Sequence, residues 1–172
     1  MTAYRLASGG LTDRSAPLDF RFDGRNLTGF SGDTLASALL ANDQLLVGRS
    51  FKYHRPRGIV TAGPSEPNAL VTIGKGADSD PNTKATVAEL YSGLDASSQN
   101  RFPSLKYDFG AVNGLLSPFL GAGFYYKTFM WPAAFWEKVY EPFIRKAAGL
   151  GRAVLARDPQ AYEKCWAHCD LL

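Results

Sequence analysis

Cysteine is nearly absent from this chain. Only Cys165 and Cys169 occur in 172 residues, and nothing before them carries a thiol. Two late cysteines cannot supply the spaced pairs of a secreted disulfide framework. Long apolar runs are missing too: none approaches the roughly 18 residues of a membrane span. The N-terminal stretch MTAYRLASGGLTDRSAPLD has no apolar segment of the kind that marks a secretory signal. These absences predict a cytoplasmic protein with no membrane partner. Charge of one sign is also scarce. Nineteen Lys and Arg against sixteen Asp and Glu leave a net +3, too mild to mark a nucleic-acid binder. The chain has no G-x-S-x-G, no Walker loop and no G-x-G-x-x-G, so no catalytic residue is assigned. Without a phosphate-cradling glycine loop, tight binding of flavin or NAD by this chain alone is not expected.

What is present suits one domain with an appendage. Residues 1–17 are polar and contain Gly9-Gly10, which predicts a flexible or docking arm. Leu18, Phe20 and Phe22 alternate with Asp19, Arg21 and Asp23, a period of two that predicts a strand. Asp23-Gly24 is a hairpin signal, and Leu27 to Phe30 returns as the second strand. Ser31 to Thr34 offers capping side chains before Leu35, Ala36, Leu39 and Leu40, whose spacing predicts a helix over 33–42. Short strands are expected at Leu45–Val47 and Ala69–Ile73, with a long loop between them. Residues 74–84 read as a turn-rich excursion, Ala85–Tyr91 as the last main strand, and Ser92–Asp108 as irregular.

The loop RPRGIVTAGPSEPNALVT at 55–72 resembles the cluster loop of plant-type ferredoxin-like domains. Such loops place thiolates at C-x4-C-x2-C spacing around a 2Fe–2S unit. Thr61, Glu66 and Ala69 stand at the matching positions, and a hydroxyl, a carboxylate and a methyl group cannot replace three thiolates. Glu66, alone among carboxylates there, is expected to organise the loop through a hydrogen bond or salt bridge, with Pro64 and Pro67 stiffening its backbone. Three segments extend the likeness: FRFDGRNLTGFSGDTLASALLAND at 20–43, GRSFKYHRPRGIVTAGPSEPNALVTIG at 48–74, and GAGFYYKTFMWP at 121–132. Together with the C-terminal Cys169-Asp170-Leu171-Leu172 they resemble the N-terminal part of the alpha-subunit family of heterotetrameric sarcosine oxidases.

That resemblance implies an α+β, β-grasp (2Fe–2S ferredoxin-like) domain over 18–110, here without its cluster and non-catalytic alone. It also implies that 111–172 form an aromatic-rich helical extension leading toward a dinucleotide-binding domain. No cofactor is expected in this chain. For the full complex the resemblance implies FAD, FMN, NAD and tetrahydrofolate, with the other subunits or the remainder of the alpha subunit as partners. Related N-methylglutamate and opine oxidoreductases leave the substrate open. An electron-transfer ferredoxin is the rival that the missing cysteines oppose. A free-standing β-grasp adaptor that binds an anionic partner through the basic loop 49–57 is another.

Three further features bear on chemistry. The basic-aromatic run from Arg49 to Arg57 makes Arg55 and Arg57, with the more distant Lys127, candidate anion contacts. Cys165, His168 and Cys169 form C-x2-H-C, but a structural zinc site needs a second pair of ligands that the chain lacks. Finally, Phe129, Trp131, Phe135, Trp136, Tyr140 and Phe143 crowd into one short segment. Trp136, Tyr140 and Phe143 keep helical spacing, Pro142 is expected to divide the segment into two short helices and to sit at the first turn of the second, and Gly149 and Gly151 to end it. This aromatic set is the interface candidate, because large rings concentrate at interface centres. Residues 152–164 read as a short helix or tether.

Overall fold

The protein is described here by a computed structural model covering residues 5–170, except 120, 122, 124–130, 162 and 167. The chain opens with a long hairpin, β1 (Asp13–Phe22) and β2 (Arg25–Ser31), paired antiparallel. Its turn takes positive φ at both central residues, 48° at Asp23 and 81° at Gly24, the backbone twist a two-residue hairpin needs. Phe20 and Phe22 point inward and are buried, while Asp19 and Arg21 face solvent. β1 begins at Asp13, so the boundary of the expected N-terminal arm at residue 17 is too late. A register shift between Asp13 and Pro17 lets the strand continue past the proline, which cannot donate a ladder hydrogen bond.

Helix α1 (Leu35–Ala41) follows directly. The Thr34 hydroxyl accepts from Ser37 N–H and the Ser37 hydroxyl accepts from Thr34 N–H, a reciprocal cap. Leu35, Ala36, Ala38, Leu39 and Ala41 are buried. Next comes a small hairpin whose strands, β3 (Gly48–Arg49) and β4 (Pro56–Arg57), have two residues each, in place of the strand expected at Leu45–Val47.

β5 (Leu70–Ile73), β6 (Asp80–Lys84) and β7 (Asp95–Ser98) complete the main sheet, whose order is β2-β1-β7-β5-β6. β7 runs parallel to β1 and antiparallel to β5. Two expectations fail here. The excursion at 74–84 contains the edge strand β6, and Ala85–Tyr91 is not a strand; the last strand lies in the region read as irregular. Residues 85–90 instead close over the start of α1. Leu35 N–H donates to Ala88 O at 2.8 Å, Ala36 N–H to Ala85 O at 2.9 Å, and Leu90 N–H to Asp33 O at 2.9 Å. Two of the helix's orphan donors are thus satisfied by a loop, and Ala85 and Leu90 enter the core as they do it. The resulting mixed sheet with one helix across it is a ferredoxin-like, β-grasp arrangement.

Beyond Asp108 the architecture changes. Short 3-10 turns occupy Phe109–Gly114 and Ala133–Phe135, a wider π-type turn Trp136–Tyr140, and then comes α2 (Glu141–Ala147). Pro142 sits, as expected, in the first turn of the later helix α2, where a missing N–H is tolerated, but the turns before it join α2 without a break, so the helical path runs from 133 to 147. Among the described residues after Asp108, none is buried. Residues 152–161 carry no regular structure.

Candidate functional site

The loop at 58–69 is built around one side chain. Glu66 lies at the end of a single 3-10 turn, Gly63–Ser65, and is only 1% exposed. One carboxylate oxygen accepts from Val60 N–H (2.9 Å), Thr61 N–H (2.7 Å) and the Thr61 hydroxyl (3.1 Å). The other accepts from Asn68 N–H at 2.8 Å. Burial works to raise the carboxyl pKa, but the hydrogen bonds from Thr61, Asn68 and Val60 outweigh it and hold Glu66 below its ordinary value. Thr86 and Lys84 tie the same loop to the end of β6 through the carbonyls of Gly63 and Pro64. Ala69 is fully buried in the core at the start of β5.

This constellation does not fit a 2Fe–2S cluster. Thr61 and Glu66 are already bonded to each other, Ala69 has no donor atom, and both cysteines are exposed in the C-terminal tail. The Glu66 carboxylate, bonded to Val60, Thr61 and Asn68, holds the loop in its place. Among the described residues, no group of three His, Cys, Asp or Glu side chains could hold a metal ion.

The basic run divides into committed and exposed members. Arg49 donates to Leu105 O (from Nε, 2.9 Å) and His54 O (3.1 Å), so it clamps the small hairpin to the 101–108 segment. His54 Nδ1 lies 2.6 Å from Asp108 Oδ2, and the other Asp108 oxygen accepts from Phe102 and Gly110 N–H. Asp108 therefore fixes the segment after β7, a role no sequence pattern marked. Arg55 lies over the Tyr53 ring at 4.8 Å and is exposed, as is Arg57. Lys127 and Phe129 lie outside the described residues. Of the other aromatic candidates, Trp131 is 83% exposed, Trp136 is 45% exposed, Phe135 and Phe143 are exposed, and Tyr140 is half-buried. Phe135 and Tyr140 meet edge-on at 6.3 Å, and the Tyr140 hydroxyl donates to Trp131 O.

A second feature went unread in the sequence. After α2 the chain turns at Gly149, with φ +68°, and lays Ala148–Gly151 against the ends of β6 and β7. A Cβ at Gly149 would overlap the Asn100 side chain, and one at Gly151 would overlap Pro81, so both glycines are needed for close approach. Asn82 Oδ1 accepts from Gly151 N–H at 2.9 Å, and Gln99 donates to Gly149 O at 3.3 Å. This strap and α2 wall a groove of about 640 Å3 against the end of the sheet.

Known proteins give the family. The model of the 2Fe-2S iron-sulfur cluster binding domain matches residues 15–101. Sarcosine oxidase subunit alpha of Rhizobium meliloti is 71% identical over 172 residues, covering 100% of this chain and 17% of the relative. Its namesakes from Corynebacterium sp. strains U-96 and P-1 are 42% identical over 92 residues and 44% over 91, covering about half of this chain. The chain thus spans about a sixth or less of the length of these relatives. Among solved structures, L-proline dehydrogenase from P. horikoshii aligns with 49% of this chain and 16% of its own at 25% identity, with a TM-score of 0.40. With just over half of its length matched, the chain belongs to the 2Fe-2S iron-sulfur cluster binding domain family.

Proposed function

We propose that this chain is an N-terminal structural and assembly part of a sarcosine oxidase-type alpha subunit. It holds no cluster and performs no chemistry alone. The observation that carries the reading is the 71% identity to a sarcosine oxidase subunit alpha along every residue of the chain. In the proposal, the full complex oxidatively demethylates an N-methyl amino acid in the cytoplasm, using flavin, NAD and tetrahydrofolate bound outside these residues. The exposed rings of Trp131, Phe135, Trp136 and Phe143 support the assembly role, since large aromatics left in water by one unit suit an interface centre. No described helix is long and apolar enough to cross a membrane.

The test is assembly with the remainder of the alpha subunit and the other subunits, co-expressed as separate chains. The 172-residue chain is expected to show no turnover of sarcosine alone, and to be recovered with the complex. Trp131→Ala with Trp136→Ala should weaken recovery while leaving the chain's melting transition in place. Turnover by the isolated chain, or undiminished assembly of the double variant, would refute the proposal.

A further inference from the structure

The groove between α2 and the end of the sheet has a charge pattern of its own. Four cations line it: Arg101, Arg145, Lys146 and Arg152. Among the described residues, no carboxylate does. Arg101 is met by Asp23 at 2.9 Å and Arg145 by Glu141 at 2.5 Å, both from outside the lining. Lys146 and Arg152 form no ion pair or side-chain hydrogen bond with any described residue. Two rings also line it, Phe102 beyond the end of β7 at 68% exposure and Phe143 on α2 at 66%. The size of the groove is that of an ordinary small-molecule site.

We infer that this groove binds a phosphate monoester carried on a planar ring, a ligand of the mononucleotide class. Two unpaired cations match the charge of a phosphate monoester, which approaches −2 near neutral pH. A guanidinium and an ammonium supply donors for its oxygens, and charge-assisted bonds of this kind are the strong ones. The exposed phenyl rings offer faces on which a flat heterocycle stacks. The strap fixes one wall, because Gly149 and Gly151 press it onto Asn100 and Pro81. The site differs from a dinucleotide fold's glycine-rich phosphate cradle and from the Arg55–Arg57 loop. It also goes beyond the assembly role, with which it shares only Phe143.

Adenosine monophosphate is the probe, titrated calorimetrically into the full 172-residue chain at low and at high salt, with adenosine and inorganic phosphate as separate arms. Saturable binding tighter than about 1 mM is expected at low salt, weakened by salt because the cations are solvent-facing. Adenosine and phosphate should each bind at least about tenfold more weakly, since neither makes both sets of contacts. Lys146→Gln with Arg152→Gln should weaken adenosine monophosphate by about tenfold or more. Phe143→Ser should weaken it without changing the response to phosphate. Arg57→Gln, which removes a charge outside this groove, should leave binding as it was. Absence of saturable binding overturns the inference. So does equal weakening by Arg57→Gln and by the double variant, which would mean diffuse attraction to a basic surface. A binding-deficient double variant supports it only if its melting transition matches the parent's; if that variant unfolds, the Phe143→Ser and Arg57→Gln pair decides by the same criteria.

Discussion

Glu66 gathers three main-chain N–H groups and one hydroxyl on two oxygens, with almost no water in reach. Its lowered pKa gives stability a direction in pH. A carboxylate with a folded pKa below its unfolded value contributes fully above the ordinary 4.5, and that contribution is lost as pH falls through the folded value. Acid denaturation of the chain is therefore expected to steepen below about pH 4.5, and Glu66→Gln should flatten that slope in urea melts taken across pH. At neutral pH the same change should cost about 1–3 kcal/mol, because an amide NH2 then faces a backbone donor. Anaerobic reconstitution with iron and sulfide should give no visible absorbance; a stoichiometric 2Fe–2S spectrum would show that sulfur ligands had been found elsewhere. Glu66 could be read from the sequence because its position is defined by the spacing of the loop. Asp108 could not: its partner His54 lies 54 positions away, and nothing local marks either residue as half of a pair.

The elements that the sequence made legible are those whose own residues dictate their state. Alternation in β1, the Asp23-Gly24 turn and the Thr34 cap each act within a few positions, and the hairpin and α1 form where these signals lie. Leu39 is the test of α1. It is fully buried, and Leu39→Ala should lower unfolding free energy by about 2–5 kcal/mol, measured by chemical denaturation. β6 and β7 behave differently. Their sequences, DPNTK and DASS, have little strand propensity, and they become strands because β5 and β1 offer them paired edges. Residues 85–90 show the reverse: their apolar members read as a strand, yet they are spent covering the start of α1. Tertiary pairing overrode local preference at both places. The groove under the strap was illegible for the same reason, since residues from β7 and α2 meet there only after folding.

The whole molecule has a buried core confined to its first two thirds and an extension whose described residues all remain accessible. A contiguous apolar patch of more than a few hundred Å2 is unusual on a monomer. The isolated chain should thus bind a hydrophobic dye while folded, or self-associate in sedimentation, and partner subunits should suppress both; a dye-silent monomer would mean the rings are covered by the chain itself. The sheet order carries a different consequence, for synthesis. β1 lies between β2 and β7, and its parallel partner is made roughly seventy residues later. While the ribosome is still working toward Asp95, the opening hairpin exists with one flank of β1 unpaired, and Ala96 and Leu105 of the core around Phe20 and Phe22 are not yet made. Such a nascent chain is a natural client for chaperones and an aggregation hazard if translation stalls. Stalling the ribosome before and after β7 has cleared the exit tunnel, then probing by limited proteolysis, should show protection of β1 only in the longer chains.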